Sequence, residues 1–297
     1  MKILIIGSKG FIGSHLLNYY RAQGYDVYGC DVIIDYTDEM YFQIEISKPS
    51  FNDVFSSQSF DLCINCSGSA SVPNSLKAPL QDFHLNTYNV FQILDGIRLY
   101  SSNCKFINLS SAAVYGNPLS LPIYENDALH PVSPYGKHKK MAEEICAEFT
   151  NDFGLKTCNL RIFSAYGAGL KKQLLWDLYQ KSLTGNIELF GTGDETRDFI
   201  YIDDLLDVIN LVANKATFDA TCLNVANGIQ VKIKDLVSLY LQELNFKGEL
   251  NFIGSNRKGD PLNWEADITQ IRSFGYQQNV SLEKGLEKYV EWLKRSV

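Results

Sequence analysis

The sequence predicts an α/β protein, a doubly wound parallel sheet joined to a smaller C-terminal α/β domain. Short, nearly continuous apolar runs alternate with helical patterns through the first half, as parallel strands covered on both faces require. The first of these runs ends in a glycine-spaced turn that opens a helix. No linker, repeat or low-complexity segment divides the chain, so one compact body with a ligand cleft between its two parts is expected.

The elements follow in order. "KILIIG" is a short β-rich run closed by glycine, and "FIGSHLLNYYRAQGY" places Ile12, Leu16 and Tyr20 at helical spacing with Gly24 as a stop. "YDVYGCD" reads as a second strand ending at Asp31, "YFQIEI" as a third and "FDLCINCSG" as a fourth. A helix is expected from Phe83 to Tyr100, then a fifth strand, "KFINLSS". "SPYGKHKKMAEEICAEFTNDFG" is a helix with Ser133 as cap, Pro134 at its first position and Gly154 as stop. "KTCNLRIFSAYG" is a sixth strand.

The second half is less regular. "RDFIYIDDLLDVINLV" reads as a strand running into a helix and "CLNVA" as another strand. A helix near Lys234 to Leu244, a strand "LNFIG" and a final amphipathic helix complete the chain, with Leu282, Leu286, Tyr289 and Leu293 on one face. The expected division is residues 1–168 with a return segment of about 196–225 in one domain, and 169–195 with 226–297 in the other.

Composition narrows the partners. A chain of 297 residues with 45% hydrophobic and 21% charged residues is ordinary for a water-soluble globular protein. Its net charge of −7 argues against nucleic acid and membrane surfaces, and no apolar run approaches a bilayer span. An anionic ligand would therefore need locally placed Lys and Arg. The seven cysteines are scattered, and Cys63 and Cys66 point to opposite faces of an expected strand. Reduced, buried thiols in a cytoplasmic protein are expected, with no metal. His15, His84, His130 and His138 receive no role.

The turn Gly7-Ser8-Lys9-Gly10-Phe11-Ile12-Gly13 sits between strand and helix, where glycines let phosphate approach backbone N–H groups at the helix start. Asp31, about 20 residues on, ends the next strand and can accept hydrogen bonds from the adenosine ribose hydroxyls. Together these mark a Rossmann-type dinucleotide site. No Lys or Arg follows Asp31 before Lys48, so a ribose 2′-phosphate would meet a negative charge, and NAD is favoured over NADP. Asp35 reads as a solvated loop charge.

Two further segments carry chemistry. "SSAAVYG" ends the fifth strand, and "SPYGKHK" places Tyr135 and Lys139 four apart on one helix face. An ammonium beside a phenol favours the phenolate, which suits Tyr135 to take an alcohol proton while Lys139 also holds a ribose.

These segments, with "NCSGSASV", Asn86, "RIFSAYG", "RDFIYIDD" and "RKGD", resemble the extended short-chain dehydrogenase/reductases, the NAD-dependent nucleotide-sugar epimerases and dehydratases. The resemblance runs over nearly the whole chain. It implies catalysis by Ser111, Tyr135 and Lys139, with Ser111 against the sugar oxygen and Tyr135 as acid and base. It implies NAD contacts from Gly7, Gly10, Phe11, Ile12, Gly13, Asp31, Glu45, Ile46, Ser67, Gly68, Asn86, Tyr135, Lys139 and Phe163. Ser111, Ser164, Arg197 and Arg257 are the implied substrate contacts, the two arginines on a nucleotide diphosphate. A homodimer is implied as well.

The departures are informative. Ala112 and Ala113 stand where dehydratases of this family carry Asp-Glu, and alanine cannot protonate a leaving hydroxyl, so 4,6-dehydration loses its acid. Ser164 replaces a frequent Asn, Asn89 a usual Gly, and Glu45 a usual Asp. The expected reaction is reversible hydride transfer at C4 of a nucleotide-linked hexose, by a 4-epimerase. A 4-ketoreductase of a 4-keto-6-deoxy sugar uses the same three residues and stays open, as does a cofactor-sensing regulator that needs none of them. Tyr115 is expected to pack or line the pocket.

Overall fold

The computed structural model describes residues 1–46, 49–255, 259 and 261–296. The chain opens β1 (Lys2–Ile6), α1 (Phe11–Ala22), β2 (Asp26–Asp31), β3 (Tyr41–Gln43), α2 (Phe51–Ser57) and β4 (Leu62–Asn65). There follow α3 (Val72–Lys77), α4 (Pro79–Phe83), a π-helical turn (His84–Tyr88), α5 (Asn89–Tyr100) and β5 (Lys105–Ser111). A 3₁₀ turn (Ala112–Val114) leads to α6 (Pro134–Phe153) and β6 (Lys156–Ile162).

These strands, with β10 (Asp219–Val225), form a seven-stranded sheet in the order β3-β2-β1-β4-β5-β6-β10, every neighbouring pair parallel. The central strands are buried on both faces: Ile3 to Ile6 and Leu62 to Ile64 are almost inaccessible. That explains their unbroken apolar character and the lack of alternation. One core lies on each side of the sheet. Phe51, Phe55, Ile93, Ile97 and Phe149 fill one; Leu16, Tyr20, Ile107, Leu160, Leu205 and Ile209 belong to the other.

The remainder is β7 (Ser164–Tyr166), α7 (Gln173–Ser182), β8 (Asn186–Leu189), β9 (Thr196–Tyr201), α8 (Ile202–Lys215), β11 (Gln230–Lys232), α9 (Ile233–Glu243), β12 (Glu249–Phe252), α10 (Thr269–Ser273) and α11 (Leu282–Ser296). Strand β9 pairs with β7 and β11 in a three-stranded sheet, and β12 pairs with β8. The chain therefore re-enters the large sheet through α8 and β10, while Thr196–Tyr201 stays with the small one. On α11, Leu286, Tyr289 and Leu293 are buried and Leu282 half-buried, as its amphipathic pattern requires.

Three expected elements differ. The sixth strand, expected over Lys156–Gly167, divides at Phe163 into β6 in the large sheet and β7 in the small one. The third strand stops at Gln43 because its partner β2 ends at Asp31; Ile44 makes one last bond, its N–H donating to the Asp31 carbonyl at 3.0 Å. The helix expected over 83–100 is broken by the π turn, which widens the coil so that Asn86 and Thr87 both face inward. Thr87 Oγ1 then donates to the carbonyl of His138 on α6 at 2.9 Å. All seven cysteines are free thiols.

Candidate active site

β1 has β2 on one side and β4 on the other, so the chain's direction of travel across the sheet reverses there and leaves a crevice at the carboxyl ends of the strands. The glycine turn closes its floor. Gly7 has φ +79°, and a Cβ on it would lie 2.7 Å from the Ser67 nitrogen; a Cβ on Gly13 would lie 2.1 Å from the Gly7 carbonyl oxygen. The turn, α1 and the segment after β4 thus approach closer than any side chain permits. Gly10 caps α1 in an extended conformation with no side-chain acceptor, so the first-turn N–H groups and the positive end of the helix face the crevice. This is a cradle that fits a pyrophosphate.

Asp31 stands at the rim. Its carboxylate accepts from the backbone N–H of Lys9 at 2.9 Å and of Val32 at 2.7 Å, which fixes its orientation. The Lys9 ammonium turns back to Asp35 and lies 4.8 Å from the Tyr41 ring centroid. Asp35 is therefore an ion-pair partner, not a free loop charge, and Lys9 is a cation near Asp31 that a search downstream of Asp31 does not find.

On the other wall, Asn65 Oδ1 accepts from the Ser67 N–H and hydroxyl, at 3.1 and 2.6 Å. Asn86 clamps Ser69 by both backbone groups, at 3.3 and 3.1 Å, and so shapes the segment that holds Ser67 and Gly68. Phe11, Ile12, Ser67, Gly68 and Phe163 line the crevice. Glu45 and Ile46 do not: they lie exposed beyond β3, Ile46 at 74% accessibility.

The crevice deepens into a cavity of about 840 Å³ whose wall carries Ser111, Tyr135 and Lys139. Ser111 ends β5 with extended backbone, and its Oγ accepts from the Ala113 N–H at 3.2 Å, capping the 3₁₀ turn. Of the two alanines, Ala113 lines the cavity and Ala112 is turned into the core. Ser133 Oγ accepts from the Gly136 N–H at 3.1 Å and Pro134 takes the first helical position, so α6 starts where it must to place Tyr135 beside Ser111.

The electrostatics differ from the expectation. Burial pushes the Tyr135 phenol up to about 12, and the hydrogen bond with Ser111 only partly opposes this. Burial also pulls the Lys139 ammonium down to about 8, against the nearby Asp82 and Glu143 carboxylates. The Lys139 ammonium donates to the Leu109 carbonyl at 2.9 Å. Burial thus governs both groups, and the neighbouring ammonium does not bring the phenol down.

Behind these residues lies a polar cluster that sequence reasoning did not single out. Glu143, one helical turn beyond Lys139, accepts from Ser110 Oγ at 2.6 Å and forms a buried pair with Arg161 at 2.8 Å. Arg161 also donates to Tyr115 Oη at 2.8 Å, and Tyr115 donates to Asn224 Oδ1 at 2.7 Å. Tyr115 is thus a core member of this cluster and does not line the cavity. The spacing Tyr135, Lys139, Glu143 was the signal available. His138, from the same helix, pairs with Asp82 at 2.6 Å.

The far wall includes Ser164, at the start of β7, and Arg197, on β9. Arg197 donates to the carbonyls of Thr196 and Pro261, each at 2.8 Å, and stacks 5.3 Å from the Trp264 ring. Lys172 joins this wall, whereas Lys171 lies 5.8 Å from the rings of both Trp176 and Trp292. Arg257 lies outside the described residues. Next to Arg197, Asp198 is fully buried and accepts from four backbone N–H groups, of Asn227, Gly228, Ile229 and Ala266. No three His, Cys, Asp or Glu side chains gather as a metal site among the described residues.

The family model described as NAD dependent epimerase/dehydratase matches residues 3–226. The chain belongs to that family. It is an NAD-dependent enzyme of the extended short-chain dehydrogenase/reductase type. Among its relatives is UDP-glucuronate 4-epimerase 4 of Arabidopsis thaliana, 27% identical over 98% of this chain and 74% of that protein. The UDP-glucose 4-epimerase of Thermotoga maritima, solved with UDP-glucose, superposes with a TM-score of 0.90 at 27% identity, over 100% of this chain and 99% of the other. The UDP-glucuronic acid 4-epimerase of Bacillus cereus, solved with UDP-glucuronic acid and NAD, gives 0.91 at 25% identity, over the full length of both. The cradle at the Gly7–Gly13 turn and the fixed Asp31 fit NAD on this chain's own geometry.

Proposed function

We propose that this family member is a UDP-sugar 4-epimerase acting through Ser111, Tyr135 and Lys139. The observation that carries the reading is the convergence of these residues on a cavity that joins the dinucleotide cradle to a wall bearing Arg197. The relatives named above act on UDP-sugars at the same carbon.

NAD, held by the Gly7–Gly13 turn and Asp31, would supply the hydride acceptor. Tyr135, its proton given up to water in the open cavity, would take the proton of the sugar C4 hydroxyl. Ser111 donates a hydrogen bond to the C4 oxygen as it becomes a carbonyl. The cofactor would supply removal of hydride from C4 and its return to the opposite face of the 4-keto sugar, and Tyr135 would return the proton. Lys139, whose ammonium donates to the Leu109 carbonyl, would also hold the cofactor ribose. Ala112 and Ala113 add no acid, which limits the site to hydride and proton traffic. Arg197, with Arg257, holds the diphosphate, and Ser164 contacts the sugar.

Three coarser assignments accompany this reading. Residues 1–168, with the return segment, bind NAD, and 169–195 with 226–297 bind the nucleotide sugar. Exposed Phe91, Leu99, Met141 and Phe153 on the packed helices α5 and α6 support a homodimer through that face. The free thiols support a cytoplasmic setting.

The test is incubation of the purified protein with UDP-glucose, UDP-glucuronic acid and UDP-N-acetylglucosamine without added cofactor, followed by separation of the 4-epimers. Interconversion with NAD retained supports the proposal. Stoichiometric oxidation of reduced cofactor, seen only with a 4-keto sugar, makes the protein a reductase instead.

A further inference from the structure

The end of β2 carries an arrangement that the hydride chemistry does not use. Two cations border it, Lys9 and Arg21, and each is paired with a carboxylate of the loop that follows β2: Lys9 with Asp35, and Arg21 with Asp38 at 2.8 Å. Of the two, Lys9 matters to the cofactor, because its own backbone N–H holds Asp31 in place. A ribose bonded to Asp31 would bring any substituent on its 2′-oxygen within a lysine's length of the Lys9 ammonium.

Asp35 is built to hold that ammonium. Its other oxygen accepts from the Thr37 N–H at 2.8 Å and from the Thr37 hydroxyl at 2.6 Å, so the carboxylate is oriented without help from Lys9. The Tyr41 hydroxyl donates to the Ile33 carbonyl and pins the loop, and the Tyr41 ring underlies the ammonium. Lys9 and Asp35 are half-buried, and the Thr37 bonds that orient Asp35 hold the pair at the rim.

The geometry points to Asp35 as the residue that sets cofactor choice: by neutralising Lys9 it denies a 2′-phosphate its cation and leaves Asp31 to select NAD. A lysine in the glycine turn otherwise offers NADP a counter-charge 22 residues upstream of the acid that repels it. Selectivity on this account comes from two carboxylates, one repelling the phosphate and one occupying its partner.

The experiment incubates wild type, Asp35→Asn, Lys9→Met and the double variant with an equimolar mixture of NAD and NADP, and identifies the retained dinucleotide by native mass spectrometry. Asp35→Asn is expected to raise the NADP-to-NAD ratio about 10- to 100-fold, the range of a hydrogen bond to a charged group. Lys9→Met alone leaves the ratio within about twofold, and added to Asp35→Asn it removes the gain. A ratio unchanged in Asp35→Asn overturns the proposal. So does a gain that survives in the double variant, or a wild-type ratio that falls when Lys9 alone is removed. The readout is cofactor retention, so its failure is distinct from any failure of the 4-epimerase reading.

Discussion

Removing the Lys139 ammonium should make the cofactor-free protein more stable at neutral pH while abolishing the proposed activity. Burial lowers the Lys139 pKa from 10.5 to about 8 in the folded chain. At about 1.4 kcal/mol per pKa unit, holding the buried ammonium charged costs about 3 kcal/mol. The unfolded chain binds the proton more tightly, so the cost is complete below about pH 8 and stability is regained as pH rises to 10.5, where both states are neutral. Lys139→Met removes this cost and also the hydrogen bond to Leu109, which offsets about 1 kcal/mol. The variant should therefore be more stable by about 2 kcal/mol near pH 7, and the gain should vanish and reverse slightly near pH 11. Urea denaturation of NAD-free protein across this range, read as the difference between variant and wild type, cancels the other titrating groups. A difference that does not change with pH would show that desolvation of Lys139 does not govern its titration.

Tyr135→Phe should lower 4-epimerisation by about 10²–10⁴-fold while the amount of co-purified NAD stays unchanged, as measured by epimer assay and by nucleotide released on denaturation. Glu143→Gln leaves the Arg161 guanidinium buried without its counter-charge and should destabilise the fold by about 3–5 kcal/mol, read as a lower urea midpoint. Gly13→Ala places a Cβ 2.1 Å from the Gly7 carbonyl oxygen, so helix and turn must separate. The variant should keep its circular dichroism spectrum yet lose NAD retention.

The parallel sheet was legible because its strands are buried on both faces, which leaves apolar runs such as "LCIN" that read directly as β4. The glycine turn and the Tyr135–Lys139 helix were legible for a related reason: backbone approach and helical spacing are local properties. What escaped was long-range. The pairing of Lys9 with Asp35 spans 26 residues, and that of Arg161 with Glu143 joins β6 to α6. Nothing in either segment alone marks its partner. Asn86 bonds both backbone groups of Ser69, a detail that rests on the π turn. The phenol of Tyr135 moved opposite to the direction that spacing suggests, because depth of burial is not written in a four-residue repeat.

The buried Asp198 bears on how β9 finds its place. Its strand, "TRDFIY", is enclosed nearly throughout, so hydrophobic alternation gives the pairing little to recognise. Hydrogen bonding supplies the missing information. Side chains of a strand alternate between faces, and a slip of one residue would drive the Arg197 guanidinium into the ring of four N–H donors that now surrounds Asp198. Donors facing a cation repel it, so the slipped pairing is excluded electrostatically. Asp198 thus specifies the register of β9: Arg197 lines the cavity when Asp198 occupies its nest of four N–H donors.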